Sequence, residues 1–417
     1  MPYISEIQIE NHYKVPDLKI VLADPALARG WRHLILTGPN GSGKTTVIER
    51  IAEEVQVNVS GGASLTAAVV RDEIEGLRQQ QSATPSDPSM KHALGVAIRS
   101  RERLLTHFRT TLAWTDRADP DQLCAFHEEG RLVTVYLAAR RAIKMDRVKG
   151  PTSKRYGSVS PKEQVASGLL QYLVDEHVRA RLKKEEDPAG SAAIMAWLDT
   201  LQAALADLFD MPGLMLKFTY EPSYSVDFVE PGRKPYAFDV LAAGHASILA
   251  ILGELILRID GSTFGLSRNS ESLSGVVMID EPELHLHPEL QEKILPFLTA
   301  AFPRLQFIVT THSPAVLSSI DGALVVDLAS LEQVTSESLQ GTPYGELMQT
   351  HFGLELDLDL KSTEKLRVLD RLAKLSEPSL AEAAQLAALA EELRKTSHPL
   401  ALEVWNRLEL ARLEAGE

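Results

Sequence analysis

The feature that most constrains this chain is the run Gly38-Pro39-Asn40-Gly41-Ser42-Gly43-Lys44-Thr45-Thr46. It fits G-x-x-x-x-G-K-[ST] in full. Such a loop works only between a buried strand and the start of a helix. Leu34–Thr37 before it is a short apolar strand, and residues 45–55 after it read as a helix. The glycines let the backbone wrap phosphates and aim N–H groups at them, and the helix N-terminus adds positive potential. Lys44 is placed to reach the β- and γ-phosphates, and the Thr45 hydroxyl to hold Mg²⁺. A chance glycine-rich turn is the competing reading, and the strand–loop–helix order weighs against it.

Two more motifs complete the chemistry. Four apolar residues, Val276–Ile279, run into Asp280-Glu281. Asp280 is predicted to join the Mg²⁺ shell, and Glu281 to orient and deprotonate the attacking water. The next apolar strand, residues 306–310, ends in Thr311-His312-Ser313-Pro314. There His312 can hydrogen-bond a γ-phosphate and sense its loss. The expected site is therefore an ATP and Mg²⁺ site. Its cofactor-binding residues are 38–46, its metal ligands Thr45 and Asp280, and its catalytic groups Glu281 and His312.

Strands alternating with helices, plus an antiparallel edge group, predict an α/β fold with a mixed sheet. The expected divisions are 1–60, with the phosphate loop; 61–130, a helical insertion; 131–215, a strand plus helices; 216–330, with the second and third motifs; and 331–417, a helical tail. Residues 132–137 read as a buried strand and 161–208 as helices broken at 185–191. Residues 216–220, 224–229 and 236–240 read as three strands. Ser379-Leu-Ala-Glu382 is a capping box.

Composition sets limits. With 417 residues, 44% of them hydrophobic, the chain can bury a sizeable core. No apolar run approaches the roughly 20 residues that span a bilayer. The opening MPYISEIQIE lacks a basic segment followed by an apolar one, so no secretion signal is expected. One cysteine, Cys124, rules out a disulfide within the chain and suits a cytoplasmic location. The net charge of -14 argues against a broad DNA-coating surface. The cluster Arg140, Arg141, Lys144, Arg147, Lys149, Lys154 and Arg155 leaves room for weak nucleic-acid contact, or is a solvated loop.

GPNGSGKTT, VVMIDEPELHLHPE and TTHSP, in that order, resemble the ABC-type ATPases related to SMC, RecF and OLD proteins. The closest resemblance is to the stand-alone ATPases of bacterial anti-phage defence operons, such as the Septu and retron-associated ATPases. The resemblance implies an ABC-type ATPase head and an ATP-dependent homodimer or larger homo-oligomer. It also implies a separate effector, a nuclease or toxin, under its control. A signature loop that receives phosphate from a second subunit is implied at Leu241-Ala242-Ala243-Gly244-His245, with Gly244 as the contact. Ala242 stands where the family carries a serine. The strand at 132–141 lies where the family's Q-loop is expected; no glutamine marks it, and Arg140 or Arg141 ends it, either as the arginine that family members carry there or as a solvated basic turn. His285 and His287 fall in a loop lining the dimer interface, rather than forming a metal cluster with Glu283. OLD proteins carry a Toprim nuclease after the ATPase; Asp357 and Asp359 resemble its acidic pair without a matching upstream glutamate. The alternatives are a DNA-binding repair ATPase of the RecF or SMC type and an ATP-binding scaffold with little turnover.

Overall fold

Strand β3 (His33–Thr37) has five buried residues, which only the middle of a sheet covered on both faces can accommodate. In the computed structural model it lies in a six-stranded sheet ordered β11-β10-β3-β9-β8-β5. The partners are β5 (Leu132–Leu137), β8 (Ser274–Asp280), β9 (Leu305–Thr310), β10 (Ala323–Asp327) and β11 (Gln333–Thr335). Every residue of β5, β8 and β9 is buried, as in parallel sheets. All pairings are parallel except that of the edge strand β11. The structure describes residues 2–62, 67–83, 88–105, 109–140, 145–152, 160–263, 274–352, 360–373 and 379–396, together with 375, 401, 404, 405, 407 and 408.

Parallel strands put their C-terminal ends on one edge, and the register aligns those ends. Asp280 and Leu36 both pair with Thr310, while Thr37 pairs with Asp327. The ends of β3, β8, β9 and β10 thus form one row. Helix α1 (Lys44–Val59) leaves that row and packs back on the sheet. Its buried Val47, Ile48, Ile51, Ala52 and Val55 recur at helical spacing and meet Leu34, Leu36, Val276, Met278 and Ile308. Burying each larger aliphatic side chain contributes about 1.5–3 kcal/mol, and this anchors the phosphate loop at the helix start.

A second, antiparallel sheet has the order β2-β1-β4, from β1 (Ile4–Glu10), β2 (Leu18–Val21) and β4 (Arg109–Trp114). Strand β4 corrects the reading of 61–130 as helical. That segment does contain α2 (Ala67–Ala83), α3 (Pro88–Leu105) and α4 (Pro120–Glu128). Between them RTTLAW carries β-branched and aromatic residues that favour a half-buried strand, and β1 offers it a free edge. Trp114 fixes it by donating to Asn58 Oδ1 of α1 at 2.8 Å.

The helices expected from 161 begin only at Leu169. Before it, Glu163 N donates to Ser160 O in a turn, Tyr136 N donates to Pro161 O, and residues 166–168 form a single 3₁₀ turn. Helices α5 (Leu169–Lys183) and α6 (Pro188–Leu208) follow, separated as expected, with Asp187 capping α6. Strands β6 (Met215–Thr219) and β7 (Ser225–Val229) pair. The third strand expected at 236–240 is reduced to one bridge, Phe228 to Tyr236. Beyond it Val240 N and Leu241 N bond to Ala237 O and Phe238 O, so the amides a strand would use are spent in a turn. Helix α7 (Ala243–Thr263) follows, and α8 (Pro288–Ala301) and the one-turn α9 (Pro314–Leu317) sit after β8 and β9.

Contacts divide the chain into two units, Met1–Thr342 and Pro343–Glu417. The segment after Ser330, expected to be helical, first supplies β11. The second unit holds α10 (Tyr344–Phe352), α11 (Leu360–Ala373) and α12 (Leu380–Thr396), with its own apolar cluster around Leu366, Leu369 and Leu393. The capping box forms: Glu382 N donates to Ser379 Oγ, and Ser379 N to Glu382 Oε2 at 2.8 Å. Among the described residues no helix is long and apolar enough to cross a membrane.

Candidate functional site

The phosphate loop leaves β3 at Thr37 and turns through Gly38, Gly41 and Gly43, whose φ angles are 132°, 77° and 102°. Gly43 is required twice over. Its backbone is left-handed, and a Cβ there would lie 2.7 Å from His12 Cε1. Helix α1 starts at the next residue with no side-chain cap. Its first N–H groups have no partner inside the helix, so the loop ends in an anion-binding terminus. Ser42 Oγ is buried without a hydrogen-bond partner among the described residues. These features fit a bound triphosphate.

Lys44 is buried and folds back on the loop, with Nζ donating to Gly38 O at 2.6 Å and Pro39 O at 3.1 Å. Burial pulls its ammonium down to about 8, against the carboxylates of Glu281, Asp280, Asp327 and Glu283, which hold it up. At neutral pH the group keeps its charge. Lys14, in the turn between β1 and β2, donates to Gly41 O at 2.7 Å and braces the loop from outside.

Thr45 Oγ1 lies 3.3 Å from Asp280 Oδ1. Two hard oxygens, one from α1 and one from β8, thus converge where Mg²⁺ would take them, since that ion prefers oxygen ligands. Asp280 is buried and also accepts from Thr310 Oγ1 at 2.5 Å. The chain then turns sharply: Glu281 has φ 49°, and its N–H donates to Thr310 Oγ1 at 3.0 Å and Thr310 O at 3.2 Å. Glu281 Oε1 stands 3.5 Å from His312 Nε2, and both side chains are partly open to solvent. Burial and the nearby Lys44 ammonium lower the His312 pKa, with Asp280 opposing, so the ring is neutral at neutral pH.

The structure therefore brings together Lys44 and Thr45 at the start of α1, Asp280 and Glu281 at the end of β8, and His312 just after β9, at one sheet edge. Gly244 belongs to the first turn of α7, where Ala242 and Ala243 are exposed. A Cβ on Gly244 would lie 2.8 Å from His285 O, so the loop after β8 packs directly on this turn. His285 and His287 are exposed while Glu283 is buried. Among the described residues no group of three His, Cys, Asp or Glu side chains could hold a metal ion. Arg140, Arg147 and Lys149 are exposed. Arg141, Lys144, Lys154, Arg155, Asp357 and Asp359 lie outside the described residues.

Sequence reading missed Thr310, which ties Asp280 to Glu281, although it stands in the TTHSP motif. It also missed Lys14 and His12, which reach the loop from a distant turn. Asp327 was missed as well; it sits beside Gly38 and accepts from Ala329 N at 2.7 Å.

The family model described as AAA domain, putative AbiEii toxin, Type IV TA system matches residues 87–318, more than half of the 417. The chain belongs to this AAA-domain family. The matched span includes Asp280, Glu281 and His312, and begins after the phosphate loop. Over 81 residues the chain is 43% identical to the retron Ec83 probable ATPase of Escherichia coli, covering 19% of this chain and 15% of that protein. Over 162 residues it is 28% identical to the Septu protein PtuA of Bacillus thuringiensis, covering 36% of this chain and 40% of that one. The chain thus spans less than half the length of these relatives. A solved Smc head bound to the C-terminal winged-helix domain of ScpA superposes with a TM-score of 0.40 at 13% identity, over 81% of this chain and 98% of that one.

Proposed function

We propose that this AAA-domain chain hydrolyses ATP with Mg²⁺ and serves as a nucleotide-driven switch in bacterial anti-phage defence. The observation that carries the ATPase reading is the meeting of Thr45, Asp280, Glu281 and His312 beside an uncapped phosphate loop. Loop amides and Lys44 bind the phosphates, and Lys44 exchanges its two carbonyl partners for phosphate oxygens. Thr45 and Asp280 would hold Mg²⁺, which would supply positive charge to offset that of the phosphates. Glu281, turned out of β8 by its left-handed backbone, takes a proton from water. Neutral His312 donates a hydrogen bond toward the γ-phosphate.

The switch reading adds a homodimer in which the start of α7, with Gly244, faces the phosphate loop of a second copy, and an effector protein that distinguishes the ATP and ADP forms. It is supported by the exposure of Ala242 and Ala243 at the start of α7, by the three motifs and by the names of the aligned relatives. Isologous pairing would bury two nucleotides at once. One experiment tests both parts: Glu281→Gln is purified from the native host with ATP–Mg²⁺ or with ADP. The expected result is a doubled mass by light scattering with ATP, and a co-purifying protein whose retention differs between the nucleotides. A monomer at micromolar concentration in both states, with no nucleotide-sensitive partner, would refute the switch.

A further inference from the structure

Two residues beyond Glu281 stands a second glutamate, Glu283, to which the chemistry above gives no task. It is buried, 8% exposed, in the loop between β8 and α8. Its Oε1 accepts from Thr311 Oγ1 at 2.8 Å and from the backbone N–H of His312 at 2.7 Å. Thr311 Oγ1 in turn accepts from Ser313 N at 2.9 Å. Ser313 Oγ donates to Gln291 Oε1 at 2.7 Å, and Gln291 Nε2 donates to Leu286 O at 2.9 Å. The loop that carries His312 is therefore tied to the loop that follows Glu281, directly through Glu283 and also through Gln291 of α8.

Filling space does not explain this side chain. Its second oxygen, Oε2, is buried with no hydrogen-bond partner among the described residues. Burying a carboxyl with one oxygen unmet is unfavourable, and an apolar residue of similar size would avoid that penalty. Burial accordingly pushes the Glu283 carboxyl above the usual range. What the carboxyl provides is a fixed acceptor for two donors on either side of the Thr311–His312 bond. The same loop carries His285, whose carbonyl packs on Gly244. The first turn of α7 thus packs on this loop two residues from Glu283.

We infer that Glu283 is a positioning residue: it fixes the backbone that presents His312 to Glu281, and passes displacements of the loop after β8 on to that histidine. This rests on the ATPase reading, because its consequence for turnover exists only if His312 serves hydrolysis. Misplacing a reacting or stabilising group by about 1 Å can lower a rate roughly 100-fold.

The test compares Glu283→Ala with Glu283→Gln, the second of which keeps an oxygen acceptor in place. Glu283→Ala is expected to lower kcat roughly 10- to 100-fold while the Kd for ATP stays within about twofold. Glu283→Gln should recover kcat to within about fivefold of wild type. Hydrogen exchange supplies a readout independent of turnover. The peptide containing Thr311–Leu317 should exchange at least about tenfold faster in Glu283→Ala and near the wild-type rate in Glu283→Gln. Wild-type kcat and wild-type exchange in Glu283→Ala would overturn the inference. So would a Gln variant as impaired as the Ala variant in both readouts at an unchanged Tm. If the wild-type chain itself released no phosphate, the ATPase reading would fall, and the exchange experiment would still decide whether Glu283 positions His312.

Discussion

Glu281→Gln is expected to bind ATP as the wild type does and to lose about 10²–10⁴-fold in hydrolysis rate, the usual contribution of a positioned general base. The substitution removes a carboxylate and little else. The backbone bonds of Glu281 to Thr310 do not involve its side chain, so the turn out of β8 persists. Asp280 keeps its contacts with Thr45 and Thr310, so the oxygens suited to Mg²⁺ remain. An amide cannot accept a proton from water, and its oxygen polarises water less than a carboxylate does. His312 sits 3.5 Å from the altered group and is neutral, so it cannot act as a substitute charge. Phosphate release within a few-fold of wild type would remove Glu281 from the role of base and direct attention to a neighbouring group.

Lys44→Ala is expected to act one step earlier, weakening ATP itself by about 100-fold or more. Two charge-assisted hydrogen bonds at roughly 1.5–3 kcal/mol each are at stake, and each 1.4 kcal/mol is a factor of ten. The ammonium is already desolvated and rests on Gly38 O and Pro39 O, so little further desolvation opposes its transfer to phosphate. Its removal also takes away a positive charge that faces the carboxylates of Asp280, Glu281 and Asp327, which makes the site less favourable for a triphosphate. Calorimetry should show the loss directly in Kd. Unchanged affinity would mean that nucleotide binds elsewhere or not at all through the phosphate loop. The two variants separate binding from chemistry, since Glu281→Gln spares the first and Lys44→Ala does not.

Much of this site was legible because its residues lie at the ends of buried parallel strands. Such strands read as unbroken apolar runs, and the residues at or just beyond their ends, Gly38, Asp280 and Thr311, mark the candidate site's edge. Elements with one face on solvent were harder to read. Strand β4 lay among strong helical patterns, and its pairing with β1 is set by a neighbour about one hundred residues earlier in the chain. Strand β11 is three residues long and exists because β10 has an open edge. The third strand expected after β7 failed because local turn bonds between Ala237 and Leu241 outcompeted a ladder. Within the site the same division holds. Residues contiguous with a motif could be named from the sequence, whereas Lys14 at Gly41 and His12 over Gly43 reach the candidate site from the connection between β1 and β2. Glu283 was visible as a letter in the motif, but its bond to the His312 amide depends on how two loops meet.

The measurement that bears most directly on the account is steady-state phosphate release by the purified wild-type chain with saturating ATP, with and without Mg²⁺. Thr45, Asp280, Glu281 and His312 at one sheet edge predict turnover that requires Mg²⁺ and disappears in Lys44→Ala and Glu281→Gln. A wild-type chain that binds ATP–Mg²⁺ tightly yet releases no phosphate would contradict it, as would release that persists undiminished in both variants.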